Sequence, residues 1–285
     1  MKRVAVASGK GGTGKTTIAV NLARVMPGPV TVMDCDVEEP NVHLFLSPRA
    51  LQTEPVGIPV PRINADLCTV CGECARFCEF NALGDMQTKI VVFNELCHGC
   101  GGCTRVCPEG AITEVDRVIG EVSRGKACDN ITVISGRMNV GEALSLPVIR
   151  ATKAQPAEGT LIIDAPPGTA CPFAAAVRGA DLVVLVTEPT PFGVHDLGLA
   201  AETLTAMNLP FGVVINRSGE GDGTVEEVCR RHSAPLLARI PEDRAIAEAY
   251  SRGELLVEAL PHYRDEFVNL EKRIAKILNA RGEAS

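Results

Sequence analysis

Short, almost wholly apolar segments alternate along the chain with segments whose apolar residues recur at helical spacing. Continuous β-branched runs of this kind predict strands that are buried on both faces, as in a parallel sheet covered by helices. The predicted strands are Val4–Ala7, Val30–Met33, Ile131–Ile134, Leu161–Ile163, Leu182–Val186, Gly212–Ile215 and Leu236–Ile240. The predicted helices are Lys15–Val25, Val140–Thr152, Val194–Met207, Val225–Arg231, Arg244–Arg252 and Arg264–Leu278. This alternation predicts an α/β fold with a doubly wound, mostly parallel sheet.

One internal segment breaks the alternation and is rich in cysteine. Eight of the chain's 12 cysteines lie between Cys68 and Cys107. A proline-rich stretch, residues 54–61, precedes this segment and is interpreted as a linker, and the segment ends near residues 116–124. We therefore predict a first part of the α/β domain over residues 1–58, an inserted α+β domain over residues 59–118, and a second part of the α/β domain over residues 119–285.

Composition and charge narrow the class of protein. The chain is 46% hydrophobic and 22% charged, as in folded proteins, and its net charge of −7 does not favour nonspecific binding to nucleic acid. No apolar run reaches the length of a membrane-spanning helix, and the last predicted helix is patterned for packing on the sheet. The first residues lead straight into a glycine-rich loop instead of the apolar core of a signal peptide. We expect a cytoplasmic chain with reduced cysteines, and neither nucleic acid nor a membrane as a partner.

A phosphate-binding loop connects the first predicted strand to the first predicted helix. Residues 9–16 match the pattern G-x-x-x-x-G-K-[ST], and a strand before it and a helix after it are the context that this pattern requires. Glycines let backbone N–H groups converge on phosphate oxygens, and the helix N-terminus favours negative charge. Lys15 is expected to reach the β- and γ-phosphates, and the Thr16 hydroxyl is expected to bind Mg²⁺. The residues predicted to bind nucleotide here are Gly9, Lys10, Gly11, Gly12, Thr13, Gly14, Lys15, Thr16 and Thr17.

The cysteines of the inserted segment form one pattern twice. Cys68, Cys71, Cys74 and Cys78 follow C-x₂-C-x₂-C-x₃-C, and Cys97, Cys100, Cys103 and Cys107 repeat it. In the bacterial ferredoxin run of this type, the fourth cysteine binds the other cluster. The spacing therefore predicts a ferredoxin-like domain with two [4Fe–4S] clusters. One is predicted on Cys68, Cys71, Cys74 and Cys107, and the other on Cys97, Cys100, Cys103 and Cys78. Zinc is the competing metal, but a doubled pattern with a constant offset fits a zinc site poorly.

Three ordered motifs resemble the MinD/ParA/Mrp class of P-loop ATPases, which includes the nitrogenase iron protein. The sequence KGGTGKTT at residues 10–17 resembles the deviant Walker A motif of that class. VMDCD at residues 32–36, followed by PN at 40–41, is similar to its second strand and switch I, and LIIDAPPGT at 161–169 is similar to its Walker B strand and switch II. With the cysteine pattern, the chain looks like a MinD-superfamily ATPase that carries an inserted ferredoxin domain.

The resemblance implies ATP as the nucleotide and gives roles to further residues. Lys10 would cross an ATP-dependent homodimer to the nucleotide of the second copy. Asp36 would lie near Mg²⁺ and the attacking water, and Asp164 would hold Mg²⁺ through a water molecule. Asn216 and Pro241 would lie near the adenine, although both are also compatible with ordinary turn residues at strand ends. The catalytic residues implied in this way are Lys10, Lys15, Asp36 and Asp164.

Together these features predict a Mg²⁺-dependent ATPase that couples nucleotide-driven dimer switching to electron transfer through two [4Fe–4S] clusters. The partner would be an unidentified redox or cluster-acceptor protein. Two alternatives stay open: an iron–sulfur cluster carrier or scaffold of the Mrp type, and a MinD/ParA-like positioning or regulatory ATPase with a redox-sensing insert. Cys171 follows switch II, and it is a candidate for redox sensing or partner contact.

Overall fold

The computed structural model describes residues 1–128 and 130–282, and its strands and helices alternate as the hydrophobic pattern predicts. The strands are β1 (Arg3–Ala7), β2 (Val30–Asp34), β3 (Arg49–Ile63), β4 (Leu83–Asp85), β5 (Ile90–Val92), β6 (Ile112–Cys128), β7 (Ile131–Met138), β8 (Thr160–Asp164), β9 (Leu182–Thr187), β10 (Phe211–Ser218) and β11 (Leu236–Pro241). The helices are α1 (Lys15–Val25), α2 (Val42–Leu46), α3 (Glu73–Phe77), α4 (Gly102–Val106), α5 (Ser145–Ala154), α6 (Cys171–Val177), α7 (Pro191–Ala206), α8 (Asp222–Arg231), α9 (Arg244–Ser251), α10 (Leu256–Ala259) and α11 (Arg264–Gly282). Each predicted strand and helix is present.

Within the described residues, nine strands form one sheet in the order β11-β10-β9-β1-β8-β2-β7-β6-β3. The strands from β11 to β7 are parallel, with Val4 of β1 opposite Ile162 of β8 and Leu182 of β9. The prediction of a mostly parallel α/β sheet is therefore confirmed. Parallel strands bring their carboxyl ends to one edge of the sheet, and in doubly wound folds ligands bind at that edge.

The core of the parallel sheet is covered by long helices. All six residues of β9 are buried, as expected for a strand with both faces covered. On one side α11 packs against α1 and β11, and its residues Phe267, Leu270 and Ile274 are fully or almost fully buried. The last helix thus packs on the sheet, as its apolar stripe predicts. In the part of the chain that the structure describes, no helix is long and apolar enough to cross a membrane.

Two local predictions are wrong. Residues 54–61, interpreted as a linker, belong to strand β3. Because β3 is the last strand in the sheet order, an edge position explains why it tolerates prolines, which lack the N–H that a central strand needs. Helix α5 begins at Ser145 and not at Val140, and Pro147 lies in its first turn, where a missing N–H breaks no helical hydrogen bond.

The chain divides into two compact units. Unit 1 comprises residues 1–53, 122–137 and those from 149 onward, and it contains the phosphate loop and the parallel strands. Unit 2 comprises residues 54–121 and 138–148, so it contains the whole of the predicted 59–118 insert and all eight repeated cysteines. Inside unit 2, β4 and β5 pair as a small antiparallel hairpin, with Leu83 opposite Val92, beside the short helices α3 and α4.

Candidate functional site

The phosphate loop lies between β1 and α1, at the carboxyl edge of the parallel strands. Helix α1 begins directly after Gly14, whose φ of 93° lies in the left-handed region that glycine adopts without strain. A Cβ at Gly14 would lie 2.4 Å from the side-chain nitrogen of Asn216, so the close approach also requires glycine. The first N–H groups of α1 have no acceptor within the helix, and this end of the helix favours an anion.

A cavity in unit 1 brings most of the predicted phosphate-binding residues together with switch I. The predicted residues that line it are Gly11, Gly12, Gly14, Lys15, Thr16, Thr17 and Asp36. Gly9 instead supports the loop from behind, because a Cβ there would lie 2.2 Å from the backbone oxygen of Asp196 in α7. The Thr13 carbonyl accepts a hydrogen bond of 2.8 Å from Asn216. The end of β10 is thereby fastened to the phosphate loop.

Two adjacent strands end in aspartates that differ in their hydrogen bonding. The Asp34 carboxylate accepts backbone N–H groups from Asp36, Asn41 and Val42 at 2.9–3.2 Å, so it fixes the fold of switch I. Asp164, opposite it in the sheet, accepts one hydrogen bond of 2.5 Å from the Thr16 hydroxyl. Its Oδ1 is buried, and it has no hydrogen-bond partner among the described residues. An unsatisfied carboxylate oxygen beside a hydroxyl is a donor set that fits Mg²⁺, directly or through water.

Burial is the largest influence on the pKa values of Asp164 and Asp36. It raises the pKa of Asp164 to about 7, against the opposing effects of the Thr16 hydrogen bond and the Lys15 charge. Burial also raises the pKa of Asp36 to about 6, while Lys15 lowers it and Glu38 and Glu39 raise it further. Each carboxylate is therefore short of positive charge in the ligand-free chain, and a divalent cation would supply it.

The predicted base-binding residues line a second cavity of unit 1, which shares part of the phosphate loop. Asn216 and Pro241 both border it, together with Gly12, Gly14 and Thr17. Its wall also includes Arg217, Arg244 and Tyr250, which sequence reasoning missed. The grouping is compatible with a base seated beside the loop, and base recognition by Asn216 and Pro241 stays a prediction.

Lys10 does not line either cavity in this state. Its ammonium group forms a salt bridge with Glu188, a buried residue directly after β9. Burial alone would raise the pKa of Glu188, but the hydrogen bond and charge of Lys10, with the charge of Arg217, hold that pKa below its usual value. Sequence reasoning missed Glu188, although its position at the end of a buried apolar run was a signal.

The two cysteine runs of unit 2 fold in the same way. Gly72 and Gly101 adopt left-handed φ values of 77° and 71°, and each precedes a helix of five residues. The fourth cysteine of each run follows its helix and accepts a backbone N–H on sulfur at 3.3 Å, from Ala82 in one run and from Ala111 in the other. The repeat in the sequence is thus a repeat in the backbone.

The cysteines surround two cavities, and each cavity takes its fourth cysteine from the other run. One cavity is bordered by Cys68, Cys71, Cys74 and Cys107. The other is bordered by Cys97, Cys100, Cys103 and Cys78. A four-iron cluster takes one thiolate on each iron, so its ligands must surround a volume in this manner. The donor sets therefore fit two [4Fe–4S] clusters. Across residues 1–128 and 130–282, no three His, Cys, Asp or Glu side chains are placed to hold a single metal ion.

The surroundings of the two cysteine cavities differ. Burial raises the pKa of Cys74 and Cys103 and so favours their thiol form, and both would have to lose a proton to bind iron. The second cavity is walled by Phe80, stacked on His98 with ring centroids 3.7 Å apart. Phe80 belongs to the stretch after Cys78, where glutamate replaces the proline that follows Cys107. This difference between the two runs leaves Cys78, Cys97, Cys100 and Cys103 around the cavity.

The four remaining cysteines differ in their exposure. Cys35 and Cys229 are buried, and burial raises the pKa of both thiols. Cys128 and Cys171 are exposed. Cys171 is the first residue of α6, directly after switch II.

Comparison with known proteins agrees with this geometry. A profile of the CobQ/CobB/MinD/ParA nucleotide binding domain matches residues 4–257. The uncharacterised protein MJ0578 of Methanocaldococcus jannaschii is 36% identical over 223 residues, which cover 76% of this chain and 78% of that protein. An iron–sulfur cluster carrier protein of Pyrococcus horikoshii is 24% identical over 304 residues, 99% of this chain and 88% of that protein. The septum site-determining protein MinD of Pyrococcus horikoshii, solved with Mg-ADP, has a TM-score of 0.59 at 20% identity and covers 97% of this chain and 96% of its own.

The match to the family profile spans nearly all of the chain, and it begins in β1, whose carboxyl end leads into the phosphate loop. The fold similarity to MinD covers 97% of the chain. Both agree with a nucleotide site built at the carboxyl ends of parallel strands. The chain therefore belongs to the CobQ/CobB/MinD/ParA family of nucleotide-binding P-loop ATPases, which generally hydrolyse ATP.

Proposed function

We propose that this chain is a Mg²⁺-dependent ATPase in which ATP-driven homodimer formation is coupled to electron transfer through two [4Fe–4S] clusters to a redox partner. One observation carries the proposal. A single chain of the MinD/ParA family combines a phosphate loop faced by acidic strand ends with two cavities that four cysteines each surround.

ATP binding is proposed to use the loop backbone and Lys15. The N–H groups of Gly11, Gly12, Gly14, Lys15 and Thr16 would face the phosphates, and the buried Lys15 ammonium would neutralise their charge. Asp36 lines the same cavity, and its pKa of about 6 leaves it mainly ionised at neutral pH. It therefore accepts a hydrogen bond from the attacking water and orients it toward the γ-phosphate.

The cation of the reaction is proposed to lie beside Thr16 and Asp164. The free Oδ1 of Asp164 and the Thr16 hydroxyl would hold Mg²⁺, which neutralises charge on the phosphates. The backbone hydrogen bonds to Asp34 keep switch I in register with this site. Members of the family typically dimerise on binding ATP, and Lys10 would then contact the nucleotide of the second copy.

Unit 2 is proposed to hold the clusters. Cys68, Cys71, Cys74 and Cys107 would bind one, and Cys97, Cys100, Cys103 and Cys78 the other. A bound [4Fe–4S] cluster supplies one-electron transfer. The N–H groups of Ala82 and Ala111 stabilise the Cys78 and Cys107 thiolates, and hydrogen bonds to cluster sulfurs tune the potential.

The effect of the nucleotide on the clusters is proposed to be transmitted along the polypeptide from switch I to unit 2. Switch I, residues 36–41, is followed by α2 and then by β3, whose residues from Glu54 onward belong to unit 2. A change at switch I upon hydrolysis therefore has a short covalent route to the cysteine unit.

The coupling is tested by measuring ATP hydrolysis anaerobically with the full chain in oxidised and in dithionite-reduced form. We expect rates that differ at least about fivefold, which corresponds to the lower end of the usual range of coupling energies. Lys15→Ala, measured in parallel, reports the background from contaminating ATPases. Equal rates in the two redox states, together with unchanged cluster potentials on adding nucleotide, would contradict the coupling. The chain would then be an ATPase whose activity is independent of its redox state.

A second candidate function is delivery of iron–sulfur clusters. It is favoured by the similarity, over nearly the full chain, to a protein named as an iron–sulfur cluster carrier. Two complete sets of four cysteines oppose it, because a transferable cluster needs labile ligation. Incubation of the ⁵⁵Fe-labelled chain with an apo-ferredoxin decides between them: ATP-dependent transfer of iron supports a carrier, and retention of iron supports electron transfer.

A further inference from the structure

Glu188 is a buried carboxylate that the proposed ATPase chemistry does not use. It lies between β9 and α7, and its backbone oxygen accepts the N–H of Thr190 at 2.8 Å. A Cβ at Gly193 would lie 2.3 Å from that same oxygen, so α7 packs directly against it. The backbone of Glu188 is therefore fixed, and its side chain has a defined direction.

Both carboxylate oxygens of Glu188 are engaged by cations. Oε1 accepts hydrogen bonds from Lys10 and, at 3.3 Å, from the Thr190 hydroxyl. Oε2 accepts a hydrogen bond of 2.8 Å from Arg217. The side chain of Glu188 is 9% exposed and that of Lys10 is 29% exposed, so this contact is partly shielded from water. Glu188 thus joins the phosphate loop to the residue that follows Asn216.

We propose that Glu188 holds Lys10 within its own chain in the absence of nucleotide, and that Lys10 must leave Glu188 before it reaches a second copy. The inference rests on the proposed ATP-dependent dimer. Arg217 already binds the other oxygen, so Glu188 keeps a counter-ion when Lys10 departs and no uncompensated buried charge is left. Glu188 is then a positioning residue that sets the ATP concentration at which dimers form.

The first test measures how strongly Glu188 restrains Lys10 in the nucleotide-free monomer. The full chain is treated with a limiting amount of an acetylating reagent, and acetylation of Lys10 is measured by mass spectrometry relative to Lys272. Glu188→Gln removes the charge but keeps the shape, and we expect Lys10 to react at least about threefold faster. Glu202→Gln, which changes an exposed glutamate of α7, is the matched control and should leave the Lys10 rate unchanged. An unchanged Lys10 rate in Glu188→Gln overturns the inference.

A second variant, with the opposite expected effect, keeps the inference testable if Glu188→Gln does not fold. Arg217→Gln leaves Lys10 as the only cation on Glu188 among the contacts above, so the hold should strengthen and Lys10 acetylation should slow. Acceleration in Arg217→Gln would contradict the inference. Because this readout uses no nucleotide, it is independent of any effect of Arg217 on nucleotide binding.

The second test measures dimer formation by analytical ultracentrifugation with Mg²⁺ and a non-hydrolysable ATP analogue. Glu188→Gln should lower the analogue concentration for half-maximal dimer about fivefold. In a Lys10→Ala background the same substitution should have no such effect, because the released group is absent. If the unmutated chain stays monomeric, the proposed dimer is wrong, and the acetylation test alone decides whether Glu188 restrains Lys10. If it dimerises and Glu188→Gln needs as much analogue or more, the inference fails and the dimer stands.

Discussion

Replacing Asp164 with asparagine should stabilise the nucleotide-free chain while it removes ATP hydrolysis. Asp164 is fully buried, one of its oxygens has no hydrogen-bond partner among the described residues, and burial raises its pKa from 3.8 to about 7. Such a rise means that the folded state holds its proton more tightly than the unfolded state. Stability from this group is therefore complete below pH 4 and is lost as pH rises toward 7.

The size of the effect follows from the pKa. A rise of that size corresponds to about 4 kcal/mol of lost stability at pH 8. The asparagine amide is also polar and buried, so we expect about half of this, or about 2 kcal/mol, as a gain in Asp164→Asn. For a unit of this size the gain raises the melting temperature by about 4–8 °C at pH 8.

The assay is thermal unfolding of the anaerobic full chain in EDTA without nucleotide, followed by circular dichroism between pH 4.5 and 8. The difference between variant and unmutated chain should grow with pH and level off above about 7. Asp34→Asn is the matched contrast: burial raises the pKa of Asp34 as well, but both of its oxygens accept backbone N–H groups, so the amide NH₂ would face an N–H donor and the variant should gain less stability than Asp164→Asn. A destabilised Asp164→Asn, or a difference independent of pH, would refute the electrostatic reasoning.

Two further predictions concern the cysteine pairing and the phosphate loop. The double variant Cys68→Ala/Cys107→Ala removes two ligands from one cavity only, so it should keep about four irons per chain. Cys97→Ala/Cys107→Ala removes one ligand from each cavity, so it should keep almost no iron. Iron and sulfide analysis that finds the opposite order would contradict the crossed pairing. Gly14→Ala places a Cβ 2.4 Å from a neighbouring amide and should weaken binding of a fluorescent ATP analogue more than tenfold. Gly28→Ala, with a similar φ of +75° and no atom within 4 Å of its Cβ, should bind normally, and equal weakening in both would point to backbone strain instead.

The phosphate-loop side of the site was predictable because it depends on local features. Apolar runs mark the buried strands, and chain polarity places the polar residue after each run at one edge of the sheet. The start of α1 at Lys15 follows from the helical pattern, whereas Asp36 and Asp164 were expected from the resemblance to the MinD/ParA/Mrp class. The proline-rich residues of β3 were misread because composition alone does not tell an edge strand from a linker.

Contacts between distant residues could not be predicted from the sequence. Lys10 and Glu188 are 178 positions apart, and no local pattern connects them. The stacking of Phe80 on His98 depends likewise on how the two cysteine runs pack inside unit 2. The difference between Asp34 and Asp164 also needed the structure, because both end buried strands and only their hydrogen-bond partners separate them.

The central claim is that nucleotide state and cluster redox state are linked, and the midpoint potential of the clusters tests it most directly. The anaerobic full chain is titrated electrochemically, followed by electron paramagnetic resonance, with and without Mg²⁺ and the non-hydrolysable ATP analogue. We predict that nucleotide shifts at least one potential by on the order of 60 mV, which is a tenfold linkage for a one-electron couple. Potentials that coincide with and without nucleotide, in a chain shown to bind the analogue and eight irons, would contradict the account.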